Sequence, residues 1–270
     1  MEVEFKDVCF GYSKDKLILH DINLKLDRPG LVCIIGPNGV GKSTLVKCIN
    51  RLLKPVSGKV LLNGRDLEEY SSLEIARAIS YVPPSTNDVF SMPVIDAILI
   101  GRHNHQGWRT SRKDLELVNK AMDMLGIKHL AMHGYNELSA GQHQRVTLAR
   151  GLVQETDIMI LDEPTANLDV RHQVYVAQFL RQLADEGQKL IIMICHDLNI
   201  ASRYASQVVV MSPPGVIDRV GTAEEVVDAD LIRKVYGIDC DVIEFEDKPN
   251  VLLKSEFMEG DYDRRPLPAQ

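Results

Sequence analysis

Leu31-Val32-Cys33-Ile34-Ile35 leads directly into Gly36-Pro37-Asn38-Gly39-Val40-Gly41-Lys42-Ser43 in this chain of 270 residues. The five apolar residues are typical of a strand that is buried on both faces. The next eight match the pattern G-x-x-x-x-G-K-[ST] at every fixed position, and helical periodicity follows over 42–53. Backbone N–H groups in such a loop turn toward phosphate, and the N-terminus of the following helix favours the same negative charge. The sequence therefore predicts a phosphate-binding loop between a buried strand and a helix.

The residues of this loop have separate expected parts in binding a nucleoside triphosphate. Lys42 is expected to bridge the β- and γ-phosphates, and Ser43 to place its hydroxyl on Mg²⁺. Thr44 is well placed to touch the α-phosphate. The candidate nucleotide-binding residues are therefore Gly36, Pro37, Asn38, Gly39, Val40, Gly41, Lys42, Ser43 and Thr44.

The rest of the chain indicates how this loop is built into a fold. Apolar alternation over the first thirty residues indicates short strands. From residue 158 onward, strands alternate with helices, which predicts a parallel sheet with helices on its faces. Residues from about 84 to 149 are mostly helical and interrupt that order. The predicted fold class is α/β, a P-loop NTPase with a parallel core sheet, an N-terminal antiparallel β subdomain and an inserted α-helical subdomain.

The domain organisation predicted from this pattern is simple. One ATPase domain is predicted over 1–240, with the helical subdomain at about 84–149 inserted in it. Residues 241–270 are predicted to form a C-terminal extension, which is partly loose over 261–268 because chain termini are often poorly ordered.

Composition excludes several classes of protein. The formal net charge of −7 argues against a general nucleic-acid binder. No run of eighteen apolar residues is present, so no segment is expected to span a bilayer alone. The N-terminus lacks the basic and then apolar pattern of a secretory signal. The five cysteines are scattered along the chain, which favours a reducing, cytosolic compartment.

Two adjacent carboxylates follow the apolar strand predicted at 158–161. Asp162 and Glu163 would lie at its carboxyl end, where an open parallel sheet presents its ligand crevice. Asp162 can hold Mg²⁺ through a water, and Glu163 can polarise an attacking water beyond the γ-phosphate. His196 follows the next strand, so it should emerge at the same edge and orient that water. Glu163 and His196 are therefore candidate catalytic residues, and Ser43 and Asp162 are candidate metal ligands.

A segment of small residues, Leu138-Ser139-Ala140-Gly141-Gln142, opens a helix predicted over 142–153. Exposed N–H groups and the helix dipole make such a start an anion site. Taken alone the signal is weak, because Ser-x-Gly before a helix is a common cap. Its position after the phosphate-binding loop, and before Asp162 and His196, makes it far more specific.

The ordered set of motifs resembles that of the ATP-binding cassette (ABC) family of transporter ATPases over roughly residues 1–235. The matching segments, in chain order, are Gly36–Ser43 (Walker A), Leu138–Gln142 (the family signature), Ile158–Glu163 (Walker B), Ala166-Asn167-Leu168-Asp169 (the D-loop) and His196 (the switch histidine). The resemblance implies ATP and Mg²⁺ as cofactors. It also implies that Tyr12 stacks on adenine.

The resemblance further implies a head-to-tail homodimer that encloses two ATP molecules between its chains. Ser139, Ala140, Gly141 and Gln142 would then contact the ATP held by the partner chain, and Asp169 would belong to the dimer interface. A separate multi-span membrane permease is the implied partner, and an extracytoplasmic solute-binding protein would act indirectly. The implied location is peripheral, at the cytoplasmic face of the cell membrane.

Three further segments narrow the resemblance. They are similar to the corresponding segments of the subgroup that energises import of iron–siderophore complexes, haem and cobalamin. These segments are residues 81–83, 94–103 and 233–237. This similarity predicts that ATP hydrolysis is coupled to uptake of a metal chelate.

Two positions depart from the family pattern. Ala140 stands where the signature usually has its first glycine, and one methyl group is tolerable where φ stays negative. Pro84 stands where the family usually has a glutamine that touches Mg²⁺ and the attacking water, and proline has no side-chain donor or acceptor. Either Thr86 or Asn87 substitutes, or water completes the metal shell, or turnover is slow.

Two alternative functions stay open at this point. One is a soluble ABC-type ATPase acting on a macromolecule, although such proteins usually carry two cassettes or a long coiled-coil insertion. The other is a slow-hydrolysing regulatory nucleotide-binding module, which Pro84 keeps open.

Overall fold

A computed structural model describes residues 1–13, 16–84, 91–106, 110–166 and 168–254. The strands are β1 (Val3–Phe10), β2 (Leu19–Leu26), β3 (Gly30–Ile35), β4 (Ser57–Leu62), β5 (Arg65–Asp66), β6 (Ile79–Val82), β7 (Ile158–Leu161), β8 (Leu190–Ile194), β9 (Gln207–Ser212), β10 (Val216–Gly221), β11 (Cys240–Phe245) and β12 (Lys248–Leu253). The helices are α1 (Lys42–Ile49), α2 (Ser72–Ala78), α3 (Val94–Leu99), α4 (His103–Gln106), α5 (Arg112–Met124), α6 (Ala140–Leu152), α7 (Val170–Gly187), α8 (Leu198–Tyr204), α9 (Ala223–Val226) and α10 (Ala229–Tyr236).

The central sheet has six strands in the order β10-β9-β3-β8-β7-β6. All neighbouring pairs are parallel except β9 with β10. Every residue of β3 is buried, because alternate side chains enter the hydrophobic cores on the two faces of the sheet. The parallel order brings the carboxyl ends of β3, β6, β7 and β8 to one edge. The predicted fold class is therefore confirmed.

A second sheet covers one face of this core. Its order is β2-β1-β4-β5, and its strands pair antiparallel. Buried side chains of β1 and β2 pack in one cluster with Val32 and Ile34 of β3 and with α1. The start of β2 lies beside the start of α1, because the Leu19 side chain lies next to Gly41. The antiparallel sheet is therefore next to the phosphate-binding loop.

Helix α1 is shorter than the periodicity over 42–53 predicts. It ends at Ile49, and Arg51 adopts the left-handed conformation with φ of 55°. The N–H groups of Leu52 and Leu53 both donate to the carbonyl oxygen of Lys47. A tertiary contact explains the early end, because the Arg51 guanidinium donates to the carbonyl oxygens of Leu67 and Tyr70.

Helices α3 to α6 lie between β6 and β7 along the chain, and buried side chains of α3, α5 and α6 join the core that contains Leu31, Cys33 and Ile35 of β3. The helix predicted over 142–153 begins two residues earlier, at Ala140, because Ser139 and Gln142 form a capping box. The limits of the inserted subdomain at about 84–149 stay a prediction, and α6 continues to Leu152. In the part of the chain that the structure describes, no helix has the length and apolar character that a membrane crossing requires.

The C-terminal part contains the antiparallel hairpin of β11 and β12. It is attached to α8, because the Asn199 side chain donates to the Val251 carbonyl oxygen and accepts from the Val251 N–H. The boundary at residue 240 stays a prediction. The segment 261–268, predicted to be loose, lies outside the described residues.

One buried ion pair connects the helical elements. Arg102 donates from Nε to Asp114 Oδ1 over 2.8 Å, and from Nη1 to Glu155 Oε2 over 2.9 Å. Asp114 is 1% exposed and accepts from the Ser111 N–H and hydroxyl. The hydrogen bond from the Ser111 hydroxyl, followed by the contacts with Arg102, lowers the pKa of Asp114 from 3.8 to about 2.

We expect Asp114→Asn to lower the free energy of unfolding by about 3 kcal/mol at pH 7, because it leaves the buried Arg102 charge without its closest partner. The Asp114 pKa is depressed in the folded protein. Its stabilising contribution is therefore complete above about pH 4 and lost as the pH falls toward 2. Urea unfolding at pH 7, and between pH 4 and 2, measures both effects.

The matched control is Glu116→Gln on the same helix, which removes an exposed ion pair with Arg112. That change should cost less than about 0.5 kcal/mol. Equal losses in the two variants would contradict the assigned role of Asp114.

Candidate functional site

The phosphate-binding loop requires glycine at two positions. Gly36 has φ of 149°, and a Cβ atom there would lie 2.3 Å from the carbonyl oxygen of Met211 in β9. Gly41 has φ of 107°, and a Cβ atom there would lie 2.9 Å from the Leu19 side chain. At Gly36 the backbone of β9 leaves no room for a side chain, and at both positions the φ value is one that residues with a side chain rarely adopt.

Lys42 lies inside the curve of this loop. Its ammonium donates to the carbonyl oxygens of Gly36 and Pro37 over 2.8 and 2.9 Å. Burial lowers the pKa of Lys42, and the nearby carboxylates of Glu163 and Asp162 oppose that effect. The loop therefore holds a positive charge in a partly dry cradle, where it attracts anions more strongly than in water.

Ser43 and Asp162 meet although 119 residues separate them. The Ser43 hydroxyl donates to Asp162 Oδ1 over 2.9 Å, and the Tyr81 hydroxyl donates to Asp162 Oδ2 over 3.1 Å. Asp162 is 1% exposed. Burial, followed by the Asp162 charge, raises the pKa of Tyr81, so its hydroxyl stays a proton donor at neutral pH.

These oxygen donors fit Mg²⁺. The ion is usually held by one or two carboxylates together with substrate phosphates, and seldom by a cage of protein ligands alone. No cluster of three or more His, Cys, Asp or Glu side chains suited to a metal occurs among the described residues.

Glu163 and His196 form a second pair at the same edge. Glu163 Oε1 lies 2.8 Å from His196 Nε2, and both side chains are partly exposed. Glu163 has φ of 55°, a strained conformation for this residue type that often marks a functional position. His196 is placed by the end of β8, where the Cys195 N–H donates to the Ile34 carbonyl oxygen of β3. The pair can therefore hold and orient a water molecule between two polar groups.

Segment 138–142 is organised separately from this edge. The Ser139 hydroxyl accepts from the Gln142 N–H, and Gln142 Oε1 accepts from the Ser139 N–H. Ser139 and Ala140 are exposed. The hydrogen bonds and ion pairs described above for Lys42, Asp162 and Glu163 include no residue of this segment.

Asp169 and His172 connect this segment to α7. Asp169 caps α7 by accepting from the His172 N–H over 2.9 Å, and both of its oxygens lie 2.8 Å from His172 Nδ1. These contacts, the backbone one first, lower the pKa of Asp169. The His172 ring lies beside Gly141, since a Cβ atom built there would be 3.6 Å from it. His172 therefore joins Asp169 and segment 138–142 into one continuous surface.

Tyr12 and Pro84 are both exposed. Tyr12 is 65% exposed, and its ring contacts Phe10 edge to face at 5.1 Å. It follows β1 at the end where Phe10 pairs with Leu19, next to the phosphate-binding loop. Pro84 follows β6 and ends a described range, so Thr86 and Asn87 lie outside the described residues.

Two polar side chains with structural roles at these sites were missed by reasoning from the sequence. Tyr81 was noted only for its similarity to an importer subgroup, and His172 was not noted at all. The signal for Tyr81 was its position at the end of a strand beside Asp162. The signal for His172 was its spacing of three residues from Asp169, which places both on one turn of a helix.

The comparisons with known proteins agree with this geometry. The family model described as ABC transporter matches residues 19–166. An ABC transporter ATP-binding protein of Methanocaldococcus jannaschii is 40% identical over 86% of this chain and 90% of its own length. The ferric enterobactin transport ATP-binding protein FepC of Escherichia coli is 37% identical over 88% of each chain. The solved structure of cbiO1 from Clostridium perfringens, part of the ABC transporter complex cbiONQ, has a TM-score of 0.75 and 31% identity over 85% of this chain and 92% of that one.

The chain therefore belongs to the ABC transporter family. It is a nucleotide-binding protein whose enzymatic class is ATPase, and ATP-binding subunits of this kind work with a membrane permease.

Proposed function

We propose that this chain is the ATP-hydrolysing subunit of an ABC importer that takes up a metal chelate of the iron–siderophore, haem or cobalamin type. The observation that carries the ATPase part is the meeting of Lys42, the Ser43–Asp162 pair and the Glu163–His196 pair at one sheet edge. Import of a chelate is supported by relatives named for achromobactin, petrobactin, ferric enterobactin and cobalamin transport. These relatives favour the importer over an ATPase acting on a macromolecule.

In the proposed site, each residue acts at a defined part of ATP. The backbone of 36–41 and the Lys42 ammonium hold the phosphates, Thr44 lies toward the α-phosphate, and Tyr12 offers its exposed ring to adenine. Ser43 and Asp162 would hold Mg²⁺, which when bound neutralises charge on the β- and γ-phosphate oxygens. Glu163 polarises the attacking water, and His196 orients it.

The catalytic unit in this proposal is a homodimer. Ser139, Ala140, Gly141 and Gln142 would contact ATP bound to the partner chain, and Asp169 would lie in the interface. The exposure of Ser139 and Ala140 supports this arrangement. A helix N-terminus supplies exposed N–H groups and a positive dipole end for the partner's γ-phosphate.

A separate multi-span permease would carry the substrate, and this subunit would lie peripherally at the cytoplasmic face of the membrane. Closing and reopening of the dimer would switch the permease between inward- and outward-facing states. A solute-binding protein outside the membrane would deliver the chelate to the permease, so it would meet this chain only indirectly.

Uptake should depend on Lys42. We expect proteoliposomes that contain this chain with its permease and solute-binding protein to take up a radiolabelled ferric siderophore or cobalamin with ATP. Lys42→Ala should lower ATP turnover and uptake together by roughly a hundredfold, because it removes the charge that stabilises the transferring phosphoryl group. Lys47→Ala, at a partly buried lysine further along the same helix, should change neither.

Two results would contradict the proposed importer function. Uptake that is equal with Lys42→Ala and wild type would separate transport from this site. ATP turnover without uptake of any chelate tested would favour the regulatory module or the ATPase acting on a macromolecule.

Glu163→Gln should trap an ATP-bound dimer. Glutamine preserves the shape of the side chain but cannot accept a proton from water, so ATP stays bound between the chains. Size-exclusion chromatography with ATP and Mg²⁺ should show a dimer, and the double variant with Lys42→Ala should stay monomeric. A Glu163→Gln variant that elutes only as monomer would contradict the dimer.

Pro84→Gln should strengthen coupling of hydrolysis to transport. Glutamine restores a side chain that can touch both Mg²⁺ and the attacking water. ATP turnover in the presence of the permease should rise by roughly tenfold, which corresponds to about 1.4 kcal/mol of transition-state stabilisation. Pro55→Gln, in the loop after α1, is the matched control. Unchanged turnover and coupling with Pro84→Gln would show that Pro84 does not weaken the site.

A further inference from the structure

We propose that Tyr81 is a positioning residue of the ATPase site, whose hydroxyl holds the Asp162 carboxylate in the orientation that receives Mg²⁺. This inference rests on the proposed function, because it assigns Tyr81 a part in the same site. Tyr81 touches neither ATP nor water in this role and acts only through Asp162.

The two oxygens of Asp162 each have one hydroxyl donor. Ser43 Oγ donates to Oδ1 over 2.9 Å and Tyr81 Oη donates to Oδ2 over 3.1 Å. Asp162 is 1% exposed, and a buried carboxylate oxygen without a donor costs the full loss of its hydration. The two hydroxyls therefore supply the hydrogen bonds that the buried carboxylate needs before a cation arrives.

The two donors reach Asp162 from different elements, and this fixes the carboxylate plane. Ser43 stands in the first turn of α1, and Tyr81 stands on β6, which pairs in parallel with β7. With Ser43 alone, the carboxylate would be held at one oxygen and could rotate about its Cβ–Cγ bond. With Tyr81 at the other oxygen, that rotation breaks a hydrogen bond.

The position of Tyr81 is itself rigid. Its neighbour Val82 accepts a hydrogen bond from the Asp162 N–H over 2.9 Å, so the parallel register of β6 and β7 continues past the end of β7. The Tyr81 ring packs against the hydrophobic cluster that contains Ile75 and Ile79. The packed ring and the fixed strand therefore hold the Tyr81 hydroxyl beside Asp162.

The neighbouring Pro84 increases the importance of this contact. Proline brings no polar side chain to the metal site from the segment that follows β6. Within the described residues 79–84, the Tyr81 hydroxyl is the polar side-chain group that contacts Asp162. On this side of the site, Tyr81 therefore orients the Asp162 carboxylate and does not contact the ion itself.

Tyr81→Phe tests the proposal, because it keeps the ring and its packing and removes only the hydroxyl. A fluorescent ATP analogue reports binding by anisotropy, without turnover, as Mg²⁺ is added. The Mg²⁺ concentration at half-maximal binding should rise roughly tenfold, the effect expected when a group that orients a metal ligand is lost. Nucleotide affinity without Mg²⁺ should stay at the wild-type value, and the melting temperature should fall by no more than a few degrees, because only one hydrogen bond is lost.

Tyr70→Phe is the matched control. Its hydroxyl is also bonded inside the chain, to the Leu62 carbonyl oxygen over 2.8 Å, but lies outside the site. The Mg²⁺ dependence of this variant should match wild type. The proposal is overturned if the Mg²⁺ dependence of Tyr81→Phe is unchanged, or if Tyr70→Phe shifts equally.

A further result would also overturn it. Loss of nucleotide binding without Mg²⁺ in Tyr81→Phe would assign Tyr81 to the fold instead of to the metal site. Failure of the proposed function would look different from failure of this proposal. If the proposed function is wrong, the wild-type protein itself would show no Mg²⁺-dependent binding of the ATP analogue.

Discussion

The parallel register of β3 with β8, and of β7 with its neighbours, is the constraint on which the site depends. Ile34 pairs with Ile194, and the Cys195 N–H continues that ladder by donating to the Ile34 carbonyl oxygen. The register ends the strands at the same level, so the polar residue after each strand emerges at one edge. A shift of one residue in any pair would turn these side chains to the opposite face.

The hydrophobic cores on both faces of the sheet stabilise an edge that contains strained backbone and buried charges. Gly36, Gly41 and Glu163 all have positive φ, and Lys42 and Asp162 bury charges of opposite sign. Such conformations and charges are unfavourable unless the surroundings determine them fully. The buried strand β3 supplies that rigidity, since it packs against one core through Val32 and Ile34 and against the other through Leu31, Cys33 and Ile35.

In the proposed function, the chemistry of one reaction is divided between two surfaces of the molecule. One surface carries Lys42, Asp162 and Glu163, and the other carries Ser139 with Asp169 and His172. Capping bonds inside the chain set the conformation of the second surface and leave Ser139 and Ala140 exposed. In the proposed dimer each surface would complete the site of the other chain, and hydrolysis would then depend on how the permease holds the two chains.

The sequence by itself determined the loop at 36–43, the strand–helix alternation and the order of the motifs, because these depend on local spacing and on buried runs along the chain. It therefore sufficed to predict the fold class and the family. It failed where distant residues meet through side chains that belong to no motif. The early end of α1 follows from the Arg51 contacts with Leu67 and Tyr70, and the place of Tyr81 follows from a hydroxyl that meets a carboxylate 81 residues away. Only the tertiary structure decided these features, because strand register and side-chain packing, unlike local spacing, are fixed when the whole sheet assembles.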